Sequence, residues 1–113
     1  MHSIELRIDD AVLRVAPDLG AAITSYEWRE RPVLRAATDA APGSRSVRMT
    51  SCYPLVPYSN RIRDARLRFR GRDYALARNF GSHPHAIHGL GWQRAWSVAA
   101  VQRHRLQLTL DHA

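Results

Sequence analysis

Ser3-Ile4-Glu5-Leu6-Arg7-Ile8-Asp9-Asp10-Ala11-Val12-Leu13-Arg14-Val15 opens the readable part of the chain. Ile4, Leu6 and Ile8 alternate with Glu5 and Arg7, the period of a strand with one apolar and one wet face. Asp9-Asp10 is a turn signal, because short acidic side chains bond their own backbone. Ala11–Val15 then reads as the returning strand of a hairpin. Pro17-Asp18-Leu19-Gly20 breaks the pattern, and 21–28 resumes it with Ile23, Thr24, Tyr26 and Trp28, residues that suit a pleated, half-buried surface. Arg29–Pro32 turns the chain toward a short return strand at Val33-Leu34.

The same signals recur downstream. Residues 65–69 and 74–76 predict a hairpin around Arg70–Asp73, with Gly71 supplying the turn. Residues 95–101 and 106–110 predict another, across Gln102–Arg105. Residues 36–45 hold Pro42-Gly43 and few large apolar groups, and read as a loop. Short strands, regular turns and the lack of any long helical pattern point to an all-β fold, an antiparallel sandwich or barrel.

The chain has 113 residues, enough for one small domain, and 45% of them are hydrophobic, which excludes a disordered protein. No apolar run approaches the length of a membrane span, and Met1–Leu6 lacks the plan of a signal peptide. A cytoplasmic protein with no membrane partner is expected. The single cysteine, Cys52, excludes an internal disulfide and reads as a small reduced hydrophobe.

All 17 basic residues are arginine and the formal net charge is +7. The densest run, Arg61, Arg63, Arg66, Arg68, Arg70 and Arg72, alternates with Leu67 and Phe69 from Arg66 onward. That is a strand with a solvated basic face. Its aromatic residue points the other way, which argues against stacking on nucleic acid bases, and no nucleic acid partner is expected.

Two stretches carry chemistry. In His83-Pro84-His85-Ala86-Ile87-His88-Gly89-Leu90-Gly91-Trp92, three of the six histidines fall within six positions. Histidine exchanges protons near neutral pH, glycine allows close backbone approach, and an indole covers an apolar face while offering one N–H. His88 stands out because it precedes a tight turn beside a large ring. A three-histidine metal site is weighed and set aside, since Pro84 interrupts any regular ligand face. The second stretch, Ser51-Cys52-Tyr53-Pro54-Leu55-Val56-Pro57-Tyr58-Ser59-Asn60-Arg61-Ile62, is kept out of helices and central strands by its prolines. It reads as an ordered loop rich in polar and aromatic side chains.

Pro57-Tyr58-Ser59-Asn60-Arg61-Ile62, the hairpin at Arg66–Leu76, Asn79 and His85-Ala86-Ile87-His88-Gly89, in that order, resemble the N-terminal half of the aldose 1-epimerases (mutarotases). The resemblance implies a galactose mutarotase-like β-sandwich, of which residues 1–113 would form a single partial domain. It implies interconversion of the α and β anomers of a free aldose, with no metal and no cofactor. Arg61 matches the family's substrate-binding arginine, and Asn60 matches an asparagine lining the same pocket. His88 matches a histidine that binds the sugar near its ring oxygen and assists catalysis. Trp92 supplies an aromatic ring for a sugar face. The family's principal acid, a second histidine, and its base, a glutamate, have no counterpart here. The chain is therefore expected to be a fragment, inactive alone and prone to self-association. A carbohydrate-binding module without catalysis is the alternative reading.

Overall fold

The computed structural model describes residues 3–37 and 46–112. Most of the loop expected over 36–45 lies outside the described residues. Within them the chain is all-β with antiparallel sheets, and no helix is long and apolar enough to cross a membrane.

The opening hairpin forms as the alternation predicts. β1 (Ile4–Ile8) pairs with β2 (Ala11–Ala16), Ile4 opposite Val15 and Ile8 opposite Ala11. Asp9 turns the chain in the left-handed region at φ 48. β3 (Ala22–Trp28) and β4 (Arg31–Leu34) complete a four-stranded sheet of order β1-β2-β3-β4. β4 begins two residues earlier than the sequence suggests and includes Pro32. The reason is its place at the sheet edge, where a missing N–H donor costs no ladder bond. Arg29 and Glu30 make the β3–β4 turn with φ 50 and 62, a primed-turn geometry that usually calls for glycine or asparagine.

Six more strands follow, four of them in two hairpins and two in a short ladder. β5 (Arg61–Ile62) is a two-residue strand that the prolines upstream hide from a periodicity reading. β6 (Arg66–Phe69) and β7 (Arg72–Ala75) pair across Arg70-Gly71, a two-residue turn rather than the four-residue one expected. Both turn residues have positive φ, 50 and 74, the mirror turn that matches strand twist. β8 (Ala86–Ile87) pairs with β5. β9 (Ser97–Gln102) and β10 (Arg105–Thr109) close the list, with a bulge between Gln107 and Leu108.

The described residues group into two compact units, Met1–Pro54 with Gly91–Ala113, and Leu55–Leu90. The first holds β1–β4 and β9–β10. Val12, Val15, Ala16, Ala22, Val47 and Trp92 are buried in it. Gly20 sits against Trp92 so closely that a Cβ would lie 2.3 Å from the Trp92 carbonyl oxygen; only glycine fits at that approach. This unit also carries an open apolar cleft of about 430 Å³ lined by Val15, Ile23, Tyr53, Trp96, Leu106 and Leu108, with the half-buried free thiol of Cys52 on its wall.

The second unit holds β5–β8. Ala65, Ala86 and Ile87 are its buried apolar side chains. The β6–β7 ribbon is exposed on both faces. Residues directly opposite share a face, so Leu67, Phe69 and Tyr74 lie on one side with Arg72, and Arg66, Arg68 and Asp73 on the other. The guanidinium of Arg70 lies 5.2 Å from the Phe69 ring centre and that of Arg72 lies 5.8 Å from Tyr74.

Candidate functional site

The two motif stretches meet inside the second unit. The β5–β8 ladder sets Arg61 opposite Ile87 and Ile62 opposite Ala86. That pairing carries Asn60 and His88, 28 positions apart, to the same end of the ladder. The His88 N–H donates to the Asn60 carbonyl at 2.9 Å. In a regular antiparallel pair the partner residue would return its N–H to the facing carbonyl. Here the Asn60 N–H donates instead to Nδ1 of the His88 ring, also at 2.9 Å. The imidazole takes the place of a backbone acceptor.

Local backbone geometry makes this exchange available. Asn60 and His88 both adopt left-handed φ, 68 and 59, a region in which asparagine and histidine are enriched. The Asn60 side chain adds to the turn, its Oδ1 accepting from the Arg61 N–H at 2.9 Å. Gly89 follows at φ 66, buried against the backbone of Val56. Leu90 N–H donates to the Val56 carbonyl at 3.0 Å, and Val56 and Gly89 form an isolated parallel bridge. The Val56–Pro57 peptide bond is cis.

The bond to Nδ1 decides the tautomer. A neutral imidazole has one donor nitrogen and one acceptor. With Nδ1 accepting from Asn60, the hydrogen-bond network assigns the ring proton to Nε2. His88 is half-buried, while Asn60 and Arg61 are exposed.

A second histidine repeats the device at the other end of the ladder. The Asp64 N–H donates to Nδ1 of His85 at 2.9 Å, and Asp64 also has positive φ, 52. His85 thereby ties the residue before β8 to the turn that follows β5. His83 packs edge-on between Phe80 and His85, with ring centres 5.8 and 5.6 Å apart. Among the described residues no group of three or more His, Cys, Asp or Glu side chains could hold a metal ion.

The structure thus brings Asn60 and His88 together and holds the backbone of Arg61 beside them, opposite Ile87. Trp92, the fourth candidate, belongs to the other unit. It is 6% exposed and stacks on Tyr53 at 6.3 Å with an interplanar angle of 29°, the surroundings of a core ring. One residue that sequence reasoning named without a role is Asn79. Its side-chain amide makes three hydrogen bonds to Ile87 and Gly89, on either side of His88. The available signal was an asparagine placed between a hairpin and the histidine stretch, which on sequence grounds reads only as a turn residue.

Comparison with known proteins places the fold and the family. The profile of the Aldose 1-epimerase family matches residues 2–113. The uncharacterized protein YphB of Escherichia coli K12 is 36% identical over 98 residues, covering 84% of this chain and 31% of its own length. A crystal structure from Escherichia coli K12, of a protein assigned by its name, provisionally, to the aldose 1-epimerases, superposes with a TM-score of 0.85 at 29% identity. It covers 99% of this chain and 37% of that one. The Slr1438 protein of Synechocystis sp. PCC 6803 shares the fold, with a TM-score of 0.74 at 21% identity over the same shares. The chain spans about a third of the length of these relatives. With the family profile matched over residues 2–113 and the all-β fold shared with these relatives, the chain belongs to the aldose 1-epimerase family.

Proposed function

We propose that Asn60, Arg61 and His88 form the sugar-facing part of a mutarotase site, and that the whole protein interconverts the anomers of a free aldose. The observation that carries this reading is the reciprocal bonding of Asn60 and His88, which fixes the imidazole with its proton on Nε2. Mutarotation requires a base to take the proton of the anomeric hydroxyl and an acid to protonate the ring oxygen as the C1–O bond opens. Rotation about C1 and the reverse steps give the other anomer. A ring nitrogen carrying its proton suits the oxygen end of that sequence, as a hydrogen-bond donor that favours charge developing on the ring oxygen.

Arg61 supports the reading through position. It follows Asn60, and its backbone is held opposite Ile87, next to His88. A guanidinium offers several donors in a rigid fork, which suits adjacent sugar hydroxyls. These three residues bind and orient; the group that removes the anomeric proton is assigned to the rest of the whole protein.

Calorimetric titration of the chain with D-galactose and D-glucose tests the binding half of the proposal. Saturable binding that is lost in both Arg61→Ala and His88→Ala is expected. Binding that survives both substitutions, or no binding of any aldose, overturns it. Polarimetry on the whole protein tests the catalytic half. Sugar binding without faster mutarotation there would favour the non-catalytic carbohydrate-binding reading.

A further inference from the structure

We infer that Asn79 is the positioning residue of the His88 loop, a role that rests on the sugar-site reading above. Asn79 Oδ1 accepts from the Ile87 N–H at 2.8 Å. Its Nδ2 donates to the Ile87 carbonyl at 2.7 Å and to the Gly89 carbonyl at 2.9 Å. One planar amide therefore grips the backbone immediately before and immediately after His88.

The register explains why a side chain does this work. In an antiparallel ladder, alternate residues turn their N–H and C=O away from the paired strand. His88 bonds to Asn60 within the pair, so its neighbour Ile87, facing Arg61, turns both backbone groups to the other side. Ile87 is 8% exposed, and buried backbone groups need partners. Where a wider sheet would supply a third strand, Asn79 supplies an amide with the same donor and acceptor. Its second N–H reaches Gly89, whose φ of 66 aims that carbonyl back toward the same side chain. With Ile87 and Gly89 both tied, His88 keeps its left-handed backbone, and Nδ1 stays on the Asn60 N–H.

The chemistry selects asparagine. Aspartate keeps an acceptor for the Ile87 N–H but sets a carboxylate against two carbonyl oxygens. Alanine removes all three bonds. Neither change touches the imidazole, Arg61 or Asn60. In this role Asn79 acts on a ligand through His88.

The test uses the full 113-residue chain labelled with ¹⁵N. Imidazole ¹⁵N shifts report which ring nitrogen carries the proton, and backbone amides of β1–β4 report the fold independently. In the parent, His88 is expected to give the single pattern of a protonated Nε2. Asn79→Ala should move the two ring shifts toward the average of mixed tautomers while the β1–β4 amides stay in place. Asn79→Asp should shift the ring signals in the same direction. Aldose affinity should fall about tenfold in either variant, what one mis-set hydrogen bond to a ligand costs. Unchanged His88 ring shifts in both variants overturn the inference. Collapse of the β1–β4 amide spectrum in both also overturns it, because Asn79 would then be a general stability residue. Failure of the parent to bind any aldose would sink the sugar-site reading instead, leaving the tautomer result to stand by itself.

Discussion

Gly89→Ala is the sharpest available probe of the site's backbone. A Cβ at Gly89 would lie 2.1 Å from the Val56 carbonyl oxygen, 2.4 Å from its carbonyl carbon and 2.5 Å from Pro57 Cδ. These neighbours are backbone and a proline ring, and cannot swing aside. The loop must move by more than about 1 Å to restore ordinary van der Waals contact, which breaks the Leu90 N–H bond to Val56. Holding alanine in the left-handed region costs about 1–2 kcal/mol, and the lost hydrogen bond about 1 kcal/mol more. Gly71→Ala is the matched control. Gly71 also has positive φ, 74, but a Cβ there meets nothing within 4 Å. The control should show the conformational cost alone. Thermal melts followed by circular dichroism should place Gly89→Ala below Gly71→Ala by about 4–8 °C or more, the shift expected per kcal/mol for a domain near this size. Only Gly89→Ala should abolish aldose binding. Equal melting temperatures for the two variants, or intact binding in Gly89→Ala, would refute the claim that close backbone packing at Val56 sets the His88 loop.

Arg61→Lys should weaken aldose binding by about 1 kcal/mol or more, because an ammonium replaces a rigid fork of donors; calorimetry that finds parent affinity would remove Arg61 from the site. Polarimetry on freshly dissolved α-galactose should show the 113-residue chain relaxing at the buffer rate, since each proton-transfer group contributes roughly 100- to 10,000-fold and His88 is given a binding and assisting role, not that of the principal acid or the base; relaxation well above buffer that vanishes in His88→Ala would contradict this. Leu67, Phe69 and Tyr74 share one face of the β6–β7 ribbon at 44%, 56% and 41% exposure, so light scattering should report concentration-dependent self-association that Leu67→Ser with Phe69→Ser reduces. A monomer at every concentration would argue against it. His85→Ala should lower the melting temperature by roughly 4–8 °C through loss of the Asp64 N–H acceptor, and a melt unchanged from the parent would show that His85 does not brace the ladder.

The residues themselves determined the fold class. Alternation in Ile4–Ile8 and Arg66–Phe69, and turn chemistry at Asp9-Asp10 and Gly71, act within a few positions, where a period of two has few competing explanations. The same local logic misplaced the edges of β4 and β7, because the tolerance of Pro32 and the tightness of the Arg70-Gly71 turn depend on the partner strand. Asn60, Arg61 and His88 were named through the resemblance of ordered motifs to the aldose 1-epimerases. Local logic could not rank Trp92 against them, since a tryptophan beside glycines reads alike whether it covers a ligand or fills a core; here it is buried against Tyr53.

What only the tertiary structure decided is how His88 is held. A two-residue ladder between Arg61–Ile62 and Ala86–Ile87 has no periodicity to detect, yet it brings Asn60 to the imidazole and sets its tautomer. Asn79 owes its role to the same ladder, through backbone groups of Ile87 that become orphans only once the strands have paired. Hydrogen bonds of this kind join residues far apart in the chain, and their partners exist only after folding has placed them.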